Sequence, residues 1–310
     1  SNTRMKHDPL SIMFVASAAL LGLTPAPANA RWGEFGHRLI AEVAVDALPA
    51  EMPAFFGAAR AQLMYLNPEP DRWRERAEAS SDPALDGGPA SDHYINLERL
   101  PMPRRAGILA APTRVAYNDS LKTLALEPAS TGTLPFRIIE MTQLLRSDFR
   151  RWRAATDPAI RGWIEQRIIN DAGILGHYVA DAANPAHTTI HHNGWVGENP
   201  NGFATDNRFH GRFEGTFVQA KLTPADVRPL TDAKARAFPS IRPAVLAYIQ
   251  KSHGELERLY TLDKQLAFND KNDGAEHKRF TAERLASAST MLRDLWWTAW
   301  ATSAETPTNR

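Results

Sequence analysis

The spacing of the apolar residues limits this chain's fold more than any other feature. In residues 34–48 they fall at Phe35, Leu39, Ile40, Val43, Ala44 and Leu48, one face of a helix, with Pro49 after the end. The same period predicts helices over 52–66, 135–152, 159–183, 209–222, 241–260 and 275–302. Strand-like alternation is scarce, and His93 to Leu97 is the one short candidate. Residues 67–70 read as a breaker and 82–92 as a Gly/Pro/Ser/Asp loop. Residues 188–207, rich in Gly, Asn and Pro, read as a long loop of the kind that often carries function. No repeat or low-complexity tract interrupts the pattern. The expectation is all-α: a single mainly helical domain over 31–310.

The start of the chain has the layout of an export signal. Arg4 and Lys6 precede a 14-residue apolar run over 10–23, shorter than the roughly 20 residues a membrane span needs. Small residues then end at Ala28-Asn29-Ala30, a signal-peptidase pattern. Residues 1–30 are thus expected to be removed, leaving an exported protein, periplasmic or secreted, without a transmembrane anchor and with no obligate protein partner implied. Lys and Arg number 36 against 35 Asp and Glu, so bulk charge names no partner. A polyanionic substrate would need a local patch or metal ions.

There are no cysteines, which excludes disulfides, thiolate metal sites and a thiol nucleophile. Any metal must sit on His, Asp, Glu or a chain terminus. The sequence has ten histidines. His7 lies in the signal, and His253 and His277 sit in polar helical contexts expected to face solvent. Five of the other seven fall beside carboxylates or the new N-terminus. His177 and Asp181 are four apart and so share one helix face, with His187 beyond the Asn184-Pro185 break. The surrounding helix is apolar, where polar groups are costly unless paired or metal-bound. His210 and Glu214 repeat the spacing. His93 follows Asp71, and His37 follows Trp32 just past the cleavage pattern. Histidine and carboxylate without cysteine is the ligand set of catalytic zinc.

Taken together and in order, these residues from Trp32 to about Phe217 resemble a superfamily: the bacterial zinc-dependent phospholipases C with the fungal and plant single-strand-specific zinc nucleases. The resemblance implies a helical fold with three zinc ions in a cleft. It implies that Asp71, His93, His177 and Asp181 hold the first ion, with Asp82 the alternative to Asp71. Asp181 would bridge to a second ion held by His37 and by the amine and carbonyl of Trp32. His187, His210 and Glu214 would hold the third. Asp71 and Arg74 are the implied catalytic residues, the guanidinium offsetting charge on the phosphate. Tyr94 and Trp195 are expected to stack on a base, and Asn96, His191, His192 and Asn193 to contact substrate.

The chain departs from the family in four respects. Cleavage is predicted before Arg31, although the family uses the tryptophan amine. Glu214 matches the phospholipase branch, where the nucleases have Asp. Arg74 and the short Trp32–His37 interval match the nuclease branch. His191-His192-Asn193-Gly194-Trp195 does not reproduce the glycine-rich segment of the nucleases. The resemblance therefore implies a phosphodiesterase on single-stranded nucleic acid, with a phospholipase C as the alternative. A non-catalytic helical protein that binds zinc is a further alternative, distinguished by closed coordination. Trp296, Trp297 and Trp300 would face a lipid surface or the core.

Overall fold

The structure is a computed structural model, and it describes residues 33–305. The expected signal over 1–30, Arg31 and Trp32 lie outside these residues. Five longer helices make the frame: α1 (Gly33–Asp46), α2 (Leu134–Ala154), α3 (Pro158–Ala183), α4 (Ile241–His253) and α5 (Ala275–Ala301). Shorter helical turns fill the connections, and among the described residues there is no β-strand. The all-α expectation holds.

The centre of the fold is α3. Asp157 caps it by accepting from the Ala159 and Ile160 amides, and Pro158 begins it with its φ already helical. Every residue from Ala172 to Ala183 is buried, so its C-terminal half is surrounded on all sides. α2 and α5 pack along it, and α1 lies against α5. Trp296 of α5 is fully buried and donates its indole N–H to Ala172 O at 3.2 Å. Trp300 meets Phe149 and Trp152 edge-on, and Trp297 packs against the same core. These tryptophans build the interior. No helix of the described residues is long and apolar enough to cross a membrane.

Two glycines of α3 admit the Arg60–Leu66 helix and the residue after it. A Cβ at Gly173 would lie 2.4 Å from Leu66 Cβ, and one at Gly176 would lie 2.4 Å from Asn67 Nδ2. Asn67 is thereby brought, fully buried, against the helix that carries His177 and Asp181.

Several local expectations need correction. The 52–66 helix is two, Ala54–Ala58 and Arg60–Leu66, because the backbone opens at Ala59 (φ −83°, ψ 15°). The 241–260 helix breaks at Gly254, where a residue poor in helix propensity allows the turn before Leu256–Gln265. Residues 67–70 and 82–92 are partly short helical turns. The strand candidate is extended at Tyr94 but forms only one isolated bridge, Ile95 to Gly132. Its other backbone partners are a helix-end loop: the Ile95 amide donates to His187 O at 2.9 Å. His277 is buried, donates to Leu262 O and packs on Phe268. His253 is three-quarters buried beside Thr188 and Glu98. Both histidines face inward because α4 and α5 are covered on sides that sequence polarity assigned to solvent.

We predict that Gly176→Ala destabilises the fold by about 1–3 kcal/mol through overpacking against Asn67, read as a lowered urea midpoint with unchanged slope. A midpoint equal to wild type would show that Asn67 is not wedged there.

Candidate metal centre

Four side chains from three parts of the chain converge at α3. His177 and Asp181 lie one turn apart on the buried helix. His93 ends the 3-10 turn Ala90–His93, whose neighbouring Asp92 is held by Arg114 and by the Thr133 hydroxyl at 2.7 Å. Asp71 comes from the turn Glu69–Arg72, inside it and not at its cap. His93 Nδ1 lies 3.0 Å from Asp181 Oδ2 and 3.0 Å from His177 Nε2. His177 Nε2 lies 3.3 Å from Asp181 Oδ2, and Asp71 Oδ1 is 3.7 Å from His177 Nε2 and 4.0 Å from His93 Nδ1. Ligand atoms about 2.1 Å from a tetrahedral ion stand about 3.4 Å apart. The measured separations bracket that value; Asp71, His93 and His177 could hold one cation, and Asp181 Oδ2 stands beside the two histidines. Asp82, the alternative to Asp71, is exposed and caps Ala84 instead.

The second carboxylate oxygen of Asp181 faces elsewhere. Oδ1 lies 3.7 Å from His37 Nε2 and 3.8 Å from His187 Nδ1, and it accepts no hydrogen bond. His37 Nε2 is likewise buried without a hydrogen-bond partner. His37, His177 and Asp181 form one group that could hold a metal ion; Asp71, His93 and His177 form another. Asp181 thus turns Oδ1 towards His37 and His187 and Oδ2 towards His93 and His177.

The third group is His187, His210 and Glu214. His210 Nε2 approaches Glu214 Oε1 at 2.7 Å, yet neither atom is in hydrogen-bonding geometry with any partner. His187 Nε2 lies 3.4 Å from Glu214 Oε2. Buried atoms that converge without bonding one another suit a shared cation. Glu214 lies in a π-helical stretch, Arg212–Phe217, an irregularity frequent at functional sites. Asn184 donates to its Oε2 at 2.5 Å and holds that carboxylate.

The ring orientations are set from behind. His37 Nδ1 donates to Asn67 Oδ1 at 2.9 Å and His177 Nδ1 to Asn67 O at 3.0 Å. His187 Nδ1 donates to His93 O at 2.7 Å, and His210 Nδ1 to His192 O at 2.8 Å. In each ring an oxygen that can only accept holds a proton on Nδ1 and turns Nε2 towards the cluster. Asn67 and Asn184 were missed in the sequence, where both read as helix breakers. Only the asparagine-before-proline break at 184 gave any signal.

Charge completes the picture. Burial, then the neighbouring His177, pushes His37 down to about 4, leaving it neutral at pH 7. Burial opposes ionisation of Asp181, but His177 and His187 outweigh it and hold the carboxyl well below the usual range. Glu214 is lowered in the same way against its burial by His210 and His187. For His187 burial acts downward, yet Asp181 and Glu214 raise it to about 9.

The groups open on a cleft of about 910 Å³. Its walls include His93, His187 and His210 among the proposed ligands, and Arg74, Tyr94, Asn96, His192 and Asn193 among the expected substrate residues. Arg74 Nε is tied to Asp86 at 2.8 Å. Tyr94 OH donates to Ala129 O, and Asn96 Nδ2 to Ser130 O. Arg99, Arg208 and Arg212 also line it, none of them marked by spacing in the sequence. His191 and Trp195 are not on this wall: their rings stack 3.9 Å apart, and Trp195 packs on Phe203 and Tyr260. Trp32 lies outside the described residues.

No protein-family model matches the chain, and a search of curated proteins finds none similar to it.

Since His187 titrates near 9 in the metal-free chain, it carries a proton at pH 7 that a cation must displace. We predict that zinc uptake at pH 7 releases protons and that affinity rises with pH towards 9. The same elevated value stabilises the metal-free fold fully below about 6.5, a contribution that fades as pH passes through about 9. Calorimetric titrations in two buffers of different ionisation heat check this; a buffer-independent heat would contradict it.

Proposed function

We propose that this chain is an exported zinc-dependent phosphodiesterase that hydrolyses single-stranded nucleic acid. The observation that carries the proposal is Asp181: a fully buried carboxylate with His93 and His177 beside one oxygen and His37 and His187 beside the other, next to a cleft lined by arginines. Paired ions joined by a carboxylate are suited to in-line displacement at phosphorus. The donor set, all nitrogen and oxygen, suits zinc. The reading adopts the superfamily that the order and spacing of Asp71, His93, His177, Asp181, His187, His210 and Glu214 resemble.

On this reading Asp71, His93, His177 and Asp181 would hold one zinc, and His37 with the other Asp181 oxygen would hold a second, completed by Trp32. His187, His210 and Glu214 would hold a third. Bound zinc supplies a water of near-neutral pKa and polarises the phosphoryl oxygens. The protein does the rest. Arg74, its Nε anchored on Asp86, offers its Nη groups to a non-bridging oxygen. Arg99 and Arg208, on the cleft wall, attract the flanking phosphates. Tyr94 offers an aromatic face to a base, worth about 1–3 kcal/mol when stacked. Its hydroxyl bond to Ala129 keeps that ring in place.

One observation favours a phospholipase C instead: the third group contains Glu214, as in that branch of the resemblance. The arginines around the cleft favour the polyanion, since a single headgroup needs fewer cations.

The expected result is release of acid-soluble nucleotides from single-stranded DNA and RNA by the zinc-loaded protein, lost on chelation and in His177→Ala. Arg74→Ala should lower kcat/KM about 10²-fold. Hydrolysis of phosphatidylcholine with intact nucleic acid would move the assignment to the phospholipase. Zinc-loaded protein inactive on both would refute the enzyme.

A further inference from the structure

The long loop expected to touch substrate does something else at its centre. Between His191 and Gly194 the backbone is clamped by one hydroxyl: Tyr260 OH donates to His191 O at 2.6 Å and accepts from the Gly194 amide at 3.1 Å. The two residues inside the clamp hold His210. The His192 carbonyl accepts from His210 Nδ1 at 2.8 Å, and Asn193 Oδ1 accepts from the His210 amide at 3.1 Å. The loop cannot slide, because Gly194 (φ +105°) has no room for a side chain. A Cβ there would meet Thr205 O at 2.7 Å.

The same tyrosine reaches His210 a second way. Its ring stacks on Phe209, the residue before His210, with centroids 4.2 Å apart and planes 9° apart. The stack of His191 on Trp195, and Trp195 against Tyr260, closes the layer behind. Tyr260 itself is fully buried and takes no place on the cleft wall.

We infer that Tyr260 is a positioning residue for the third metal group: by clamping residues 191–194 it fixes the carbonyl that orients the His210 ring. His191 and Trp195 belong to this support and not to substrate contact. The inference rests on the metal reading of His187, His210 and Glu214. Removing the hydroxyl frees His192 O to drift, and His210 then loses the Nδ1 acceptor that sets its ring orientation.

The test uses the full chain with Tyr260→Phe, which keeps the ring stack. Thr142→Val is the control, because it removes another buried hydroxyl from α2, which bears no proposed ligand. Two readouts are taken. One is zinc affinity by competition with a chelator. The other is the hydrogen bond from His210 Nδ1–H to the His192 carbonyl in the metal-free chain, read from the Nδ1–H proton signal and its exchange with water, assigned with His210→Ala. The expected result for Tyr260→Phe is an affinity for the most weakly held zinc lower by about 10–100-fold. The His210 Nδ1–H signal should lose its hydrogen-bonded shift and exchange faster with water, and Thr142→Val should change neither. Wild-type affinity with unchanged Nδ1–H in Tyr260→Phe would overturn the inference. If the wild-type chain takes up no zinc, the metal reading fails separately. The Nδ1–H signal alone then decides: its loss or faster exchange supports the clamp and unchanged Nδ1–H overturns it.

Discussion

A carboxylate with no exposure to water sits between imidazoles at the middle of this fold. Asp181 lies on a helix buried on every side, where an isolated charge costs several kcal/mol even after relaxation. His93 and His177 approach one oxygen, and His37 and His187 the other, at 3.0–3.8 Å. The bundle around α3 is arranged about this arrangement. α1 brings His37, the 3-10 turn brings His93, and the break at Asn184-Pro185 returns the chain so that His187 faces back. Protein alone satisfies the cluster only partly, since Asp181 Oδ1, His37 Nε2 and Glu214 Oε1 find no hydrogen bond. Atoms so placed could hold metal ions, and that is the simplest reason to bury them together.

Precision then comes from groups that touch no metal. Asn67 orients two rings, one with its side chain and one with its backbone, and Gly176 makes room for it. His93 and His187 hold each other through backbone: the His187 ring bonds the His93 carbonyl, and the Ile95 amide bonds the His187 carbonyl. Each contact places an acceptor behind a ring, which decides the tautomer as well as the angle. Small residues and carbonyls thus matter as much to the site as its named ligands.

Much of this could be read from the sequence because helical periodicity is a local signal. The apolar spacing located α1, α2, α3 and α5 within a few residues, and the four-residue intervals 177–181 and 210–214 put their pairs on common faces. Asp71 was preferred over Asp82, and the structure places Asp71 alone in the group. What sequence could not reveal depends on contacts across the fold. His253 and His277 have polar neighbours in sequence, yet the fold covers both, His277 against Phe268 and His253 beside Thr188 and Glu98. Asn67 differs from any turn asparagine only through Gly176, more than a hundred residues later. His191 and Trp195 looked like loop residues open to substrate, whereas Tyr260, from a distant helix, draws them inward. Arg99, Arg208 and Arg212 meet on the cleft wall without any common spacing.

The central claim is that Asp181 joins two metal ions. Zinc-edge X-ray absorption of the zinc-loaded protein tests it most directly. The account predicts a shell of nitrogen and oxygen only, at about 2.0–2.2 Å, with a zinc–zinc vector at about 3.5–4 Å. A nitrogen–oxygen shell with no zinc neighbour within that range would contradict it, leaving Asp181 a ligand of one ion at most.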